Sequence, residues 1–176
     1  FILFAAFLLK SGAGDFIVDV SNAVAGKYTR GTGHVAVFSS ALMGTISGSA
    51  VANTVSTGSI TITKIKKAGF KGTFAAAVEA AASTGGQIMP PIMGAGAFIM
   101  AQITNIPFVT IVSVSILPAI LYFASISFYI HIHAKENNIK GENNNIKVLP
   151  LLREGFHFII PLTTLVGLLI YGYSPT

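Results

Sequence analysis

GTISGSAVAN, residues 44–53, lies in the middle of an apolar run yet consists almost wholly of glycine, alanine and small hydroxylated or amide residues. A helix that only had to be greasy would not place Ser47, Gly48, Ser49 and Asn53 at its deepest point, because unpaired polar groups are costly in an apolar medium and glycine weakens a helix. The surrounding run, Val35 to Thr63, has 29 residues, too few for two membrane crossings, which take ~40. Both of its ends are basic: Lys27, Arg30 and His34 precede it, and Lys64, Lys66, Lys67 and Lys71 follow. The positive-inside tendency puts both ends on the cytoplasmic face, so the segment should enter and leave by the same side. Residues 35–63 are therefore expected to form a re-entrant helical hairpin with its tip, Ser47 to Asn53, near the bilayer midplane. Non-helical backbone at that depth is tolerated only where it is buried in protein or lines a water-filled cavity, so the tip implies a site or a pathway.

Composition supports a membrane setting. The chain has 176 residues, of which 52% are hydrophobic and only 10% charged, with a mean hydropathy of +0.73; soluble domains carry roughly 25% charged residues. The absence of cysteine excludes a disulfide scaffold, a thiolate metal site and a cysteine nucleophile. Tryptophan is also absent, which leaves Tyr and Phe as interface anchors. The net charge of +5 comes from basic residues lying between apolar spans, a pattern of inside-facing loops rather than of a nucleic-acid surface.

Run lengths and charges lay out the rest. Residues 1–10 read as the end of a transmembrane helix, and the chain is expected to be a fragment of a longer polytopic protein. Residues 14–27 form an interfacial amphipathic helix with Phe16, Ile17, Val20, Ala23 and Val24 on one face and Asp15, Asp19 and Asn22 elsewhere. Residues 73–105 are a transmembrane helix broken at STGGQIMPP, residues 83–91. There Gly85 and Gly86 accept unusual backbone angles, Pro90 and Pro91 lack the helical donor, and Met89 is pushed from helical geometry by the proline after it. Residues 108–131 are an ordinary transmembrane helix carrying Pro118 as a kink. Residues 134–153 make a cytoplasmic loop or arm, and residues 156–173 another transmembrane helix. This layout sorts all eleven Lys and Arg to one side.

Two broken elements thus carry similar small polar clusters, SGSAVAN and STGGQ, at matching depth. Secondary transporters use such pairs: half-helix amino ends face an anionic substrate, while unwound carbonyls and hydroxyls cage a hard cation. Sodium is the expected ion, since no nitrogen or sulfur ligand cluster competes and a proton relay would want more buried acids. Glu79, ~10 Å below the Lys71 end of its helix, is the one acid within an expected span. It is a candidate charge partner for a cation or a tie holding the broken helix together; the plainer alternative is an interfacial glutamate that snorkels or pairs with a lysine of the preceding loop.

KSGAGDF (10–16), SSALMGTISGSAVANTVSTGS (39–59), AAAVEAAASTGGQIMPPIMGAGAF (75–98) and YGYSP (171–175) closely resemble the large membrane subunit of tripartite ATP-independent periplasmic (TRAP) transporters, in particular its fused-permease form. The resemblance covers nearly the whole chain. It implies an all-α integral membrane protein with an elevator-type transport domain, multi-pass in a bacterial or archaeal inner membrane. It also implies sodium-coupled uptake of organic acids, with sodium as coupling ion and no other cofactor. The implied partners are a periplasmic substrate-binding protein and the small TRAP membrane subunit or its fused equivalent. Carried onto this sequence, the substrate and cation site comprises Ser47, Gly48, Ser49, Ala50 and Asn53 of the hairpin tip with Ser83, Thr84, Gly85, Gly86, Gln87 and Pro90 of the helix break. The family's second hairpin has no counterpart in these residues.

Other readings compete. Gly44, Gly48 and Ala52 fall at the GxxxG spacing of close helix packing, and TGGQIMPP on its own could be a proline kink. His131 and His133, two apart, do not face each other on a helix and suit a membrane edge better than a metal pair. GAGAF, residues 94–98, lacks the strand and spacing of a dinucleotide fingerprint. No Ser/His/Asp triad is supported, and an enzyme is not expected. The rivals to a transporter are an ion channel, in which the re-entrant backbone is a selectivity filter, and a non-transporting structural membrane subunit.

Overall fold

The computed structural model describes residues 7, 10–26, 32–139, 150, 151, 153 and 155–170; most of the expected helix end at residues 1–10 and most of the loop 134–153 lie outside them. The described elements are all helical: α1 (Ala13–Ala25), α2 (Thr32–Ser47), α3 (Ala50–Lys67), α4 (Gly72–Gly85), a 3-10 turn (Gly86–Ile88), α5 (Ala95–Thr104), α6 (Phe108–Glu136) and α7 (Phe156–Ile170).

α2 and α3 fold back on each other about Gly48 and Ser49. The Ser40 and Thr57 hydroxyls, equally far in sequence from that vertex, lie 3.5 Å apart. Nearer the open end, Val35 packs in one cluster with Ile60. The two arms are therefore antiparallel, and both open ends point the same way. Only two residues separate the helices, fewer than the expected tip of Ser47 to Asn53. Gly48 turns the chain at φ +56°, and Ser49 is already the N-cap of α3, its Oγ accepting from the Ala52 amide at 3.3 Å. Ala50 to Asn53 are thus helical, because a capped amino end starts the second arm at once.

α4 lies against both arms, and α6 closes the bundle beyond it. Ala36 and Val37 of α2, Ile65 of α3, Ala75 and Val78 of α4 and Phe123, Ile130 and Ala134 of α6 share one buried cluster. His133 of α6 stacks on Phe74 with ring centroids 4.0 Å apart, and His131 meets His34 edge-on at 6.4 Å. These contacts put the open end of the hairpin, the start of α4 and the end of α6 at one end of the bundle. Lys64, Lys66, Lys67, Lys71 and Lys135 gather there.

The long interruption also differs in detail from its sequence expectation. α4 runs through Ser83 and Thr84 to Gly85, since Gly85 and Gly86 both take ordinary right-handed helical angles. The departure from α-helix covers residues 86–94, ending where Met93 adopts φ +59° and Gly94 caps α5. The Pro90–Pro91 peptide is cis. α6 continues past residue 131 to Glu136, because Ala134, Lys135 and Glu136 are good helix formers and Ala134 remains fully buried. It is the one described helix long and apolar enough to cross a membrane.

α1 packs on the hairpin and buries only part of its apolar stripe. Its buried side carries Ala13, Gly14, Ile17, Val18, Ser21, Asn22, Ala23 and Ala25, whereas Val24 is 42% exposed. Elsewhere in the bundle many small polar residues also lie inside. Ser39, Ser40, Asn53, Ser56, Thr57, Thr61, Glu79 and Ser83 are buried, while Val114, Leu117 and Phe128 of α6 are between 64% and 68% exposed. Small and polar residues inside with large apolar ones outside is the packing of helices whose surroundings are themselves apolar.

Candidate functional site

The tip of the hairpin meets the break between α4 and α5. Gly44 packs on Gly86 so closely that a β-carbon on Gly44 would stand 2.5 Å from the Gly86 Cα, and one on Gly48 would overlap the Met93 carbonyl oxygen. The GxxxG spacing thus reflects close backbone approach at Gly44, with Gly48 serving both that contact and the turn. Across the break, the Gly94 amide donates to the Gln87 carbonyl at 2.7 Å, which folds residues 87–94 into a compact loop.

Beside this junction lies a cavity of about 530 Å³ bordered by Gly48 and Ser49 from the tip, Gln87 and Gly94 from the break, and Ser115 from α6, among other residues. Two helices begin at its wall: α3, capped by Ser49, and α5, capped by Gly94. A helix amino end carries about half a positive charge and unpaired amide donors, so both ends favour an anion in the space they border. Ser49 and Gln87 add a hydroxyl and an amide as oxygen ligands or donors. Among the described residues, no charged side chain borders the cavity.

The remaining sequence-selected residues sit elsewhere. Ser47 is buried, with its Oγ accepting from the Ser49 amide at 3.4 Å. Asn53 is fully buried between the arms, its Nδ2 donating to the Ser40 carbonyl at 2.7 Å. Ser83 is buried behind the break, whereas the Thr84 hydroxyl donates back to the Ala80 carbonyl at 2.8 Å on an exposed face. Gly85 is a packing glycine: a β-carbon there would be 2.5 Å from Tyr122 of α6. Gly86 abuts Gly44 and Asn53, and Pro90 is partly buried in the loop without bordering the cavity. The structure therefore brings Gly48, Ser49 and Gln87 to the cavity and places Asn53 and Ser83 in a second, enclosed cluster.

That second cluster is built on Glu79, which is completely buried. Ser40, Thr57 and Ser83 donate hydroxyls to its Oε1 at 3.1, 2.7 and 3.2 Å, and Thr61 donates to Oε2. Among the described residues no lysine or arginine pairs with it, so the plainer reading of Glu79 as an interfacial partner of the preceding lysines does not describe this geometry. Sequence reasoning missed Ser40, Thr57 and Thr61. A signal was present: Asn53, Thr57 and Thr61 recur every four residues, one polar stripe on one face of α3. It also missed Met93 to Ala97 and Ser115 at the cavity. Among the described residues, no three His, Asp or Glu side chains come together as metal ligands.

Described residues that are all helical, with many large apolar side chains exposed and the amino ends of two interrupted helices bordering a cavity, have the construction of helical membrane transport proteins. The family model described as tripartite ATP-independent periplasmic transporter, DctM component, matches residues 1–176. The chain belongs to that family, and is a large permease component of a TRAP transporter. Membership implies a periplasmic binding protein and a small membrane subunit as partners. No curated protein matches the chain.

Proposed function

We propose that this chain forms part of the membrane subunit of a sodium-driven importer of organic acids delivered by a periplasmic binding protein, multi-pass in the inner membrane. The observation that carries the reading is the cavity of about 530 Å³ with the capped amino ends of α3 and α5 in its wall. Those two ends suit the carboxylate of a substrate. The carbonyls and hydroxyl around Gly48 and Ser49, with Gln87 opposite, are oxygen ligands of the kind a sodium ion takes.

On this reading the α2–α3 hairpin is re-entrant. Its two ends lie with the lysine-rich end of the bundle on the cytoplasmic side, and its vertex lies within the bilayer. Sodium at the tip orders the two short stretches of open backbone and adds positive charge beside the anion, so each ligand raises the affinity of the other by the same factor. An elevator-type movement of this unit against a scaffold then changes the side from which the cavity is reached. These residues supply one half of the site, and a second hairpin elsewhere in the protein supplies the other.

The test is uptake into proteoliposomes by the full-length protein with its small subunit and binding protein, across a panel of carboxylates, with and without an inward sodium gradient. Saturable accumulation that collapses without the gradient is expected. Passage of ions without the binding protein and without saturation would make the protein a channel. Uptake indifferent to sodium for every carboxylate would remove the coupling.

A further inference from the structure

Glu79 does not border the cavity, yet four side-chain hydroxyls hold its carboxyl group. Its hydroxyl donors come from three helices: Ser40 from the first arm of the hairpin, Thr57 and Thr61 from the second, and Ser83 from α4, one turn beyond Glu79 itself. A serine or threonine oxygen stands one bond beyond the β-carbon, so all four can reach one carboxyl group only if both arms lie hard against α4. Gly58 permits this approach, since a β-carbon on it would be 3.1 Å from the Glu79 Cγ.

The contacts continue from Glu79 towards the tip. The Thr57 hydroxyl also lies 3.2 Å from the Asn53 Oδ1, and the Asn53 Nδ2 donates to the Ser40 carbonyl. A β-carbon on Gly86 would stand 2.9 Å from that Nδ2, and the Asn53 amide donates to the Ser49 carbonyl at 2.9 Å. A polar column therefore runs from Glu79 through Thr57 and Asn53 to Ser49 on one wall of the cavity and Gly86, beside Gln87, on the other.

We infer that Glu79 is a positioning residue: by gathering hydroxyls from both hairpin arms and α4, it sets the register of the hairpin against the broken helix and hence the gap between Ser49 and residues 87–94. Its oxygens are engaged by hydroxyls and Gly58 closes against its stem, so it acts on the cavity through geometry and touches no ligand. The inference rests on the cavity being the binding site of the importer proposed above for its transport consequence, but not for its structural one.

The test uses the full-length transporter with a reporter at Gly96, which borders the cavity and whose substituted β-carbon would meet nothing within 4 Å. The 176 residues contain no cysteine, so Gly96→Cys is a single site within them. Its rate of labelling by a water-soluble maleimide is compared for the wild type, Glu79→Gln, Glu79→Leu and the pair Thr57→Val with Thr61→Val. Sodium-dependent uptake is measured on the same variants without the reporter. The glutamine amide can still accept from and donate to hydroxyls, so Glu79→Gln should label at the wild-type rate. Glu79→Leu and the valine pair should shift the rate several-fold, and should raise the sodium concentration for half-maximal uptake several-fold with a smaller change in maximal rate.

Should Glu79→Leu not yield a monodisperse protein, the valine pair, which keeps the carboxyl group and the side-chain shapes, decides the matter. Wild-type labelling in monodisperse leucine and valine variants would overturn the inference. So would a Glu79→Gln variant as disturbed as Glu79→Leu, which would make the acid itself, rather than its hydrogen bonding, the requirement. Absence of uptake in every form, wild type included, would count against the importer reading while leaving the labelling result to stand.

Discussion

Two polar clusters lie about two helical turns apart along α4, ~12 Å at 1.5 Å per residue, and they are finished in opposite ways. Around Glu79, hydroxyls, an amide and a carboxyl group satisfy one another, and Ser40, Asn53, Thr57 and Glu79 are all fully buried. At Gly48–Ser49 and residues 86–94, helices stop and start beside a cavity, leaving amide groups and short polar side chains without a closed circle of partners. The first arrangement is what an apolar environment demands of any buried polar group. The second is tolerable only where something else fills the space. Polarity alone therefore does not mark a site in this fold; the distinguishing feature is whether helix ends have been left open.

The comparison can be broken most severely at Gly48, where the two constraints of turn and close approach coincide. Gly48→Ala puts a side chain at φ +56° and into the Met93 carbonyl. The backbone angle alone costs about 1–2 kcal/mol, and the overlap adds to it, so loss of uptake and a marked fall in the thermal unfolding midpoint of the purified protein are expected. Gly44→Val comes next, since its β-carbon would press on the Gly86 backbone. Overpacking of this kind costs about 1–3 kcal/mol, and the same thermal measurement should rank it below Gly48→Ala.

Smaller substitutions sharpen the contrast between the clusters. Thr61→Val removes one hydroxyl from the enclosed cluster at nearly constant shape and should cost about 1–2 kcal/mol of stability; unfolding that is indifferent to the hydroxyl would show the cluster to be slack. Ser49→Ala removes the cap of α3, worth about 1 kcal/mol. It should also raise the sodium requirement of uptake more than Thr61→Val does. Equal effects of the two on sodium dependence would erase the distinction between cap and cage. Gly96→Ala should be smallest of all, within about 0.5 kcal/mol of neutral or slightly stabilising, because the added carbon meets nothing.

The fold-back of α2 on α3 was legible in the sequence as a break of small polar residues, Ser47 to Asn53, at the centre of one apolar run; its re-entrance into a bilayer belongs to the proposed function. Its vertex was narrower than expected because Ser49 begins the second arm as an N-cap, and a cap looks in sequence like any other serine of a polar tip. The break after α4 was legible from Gly85, Gly86, Pro90 and Pro91. It falls later than STGG suggests because two glycines that are free to leave helical geometry are equally free to keep it. Nothing in the sequence marks Met93 for a left-handed backbone angle.

Other features required the third dimension. The inward face of α1 joins Ile17, Val18 and Ala23 with the small residues Gly14, Ser21, Asn22 and Ala25, since small side chains let helices approach closely. The apolar stripe Phe16, Ile17, Val20, Ala23 and Val24 is split by this packing, with Ile17 and Ala23 inside and Val24 exposed. The partners of Glu79 were hidden for a different reason. Ser40, Thr57 and Thr61 come from segments that only the hairpin turn brings together, and the four-residue stripe on α3 points to a polar neighbour without naming it.

Four hydroxyls on stems one carbon long leave the three helices they join no play. Sliding one helix along another by even a single residue would carry ~1.5 Å, enough to part several of these hydrogen bonds at once. The cage thus ties α2, α3 and α4 into one stiff block, and the nearest joint beyond it in the described chain is the break at residues 86–94, with Met93 at φ +59°, followed by the bend at Asn105 to Pro107 between α5 and α6, with Asn105 at φ +54°.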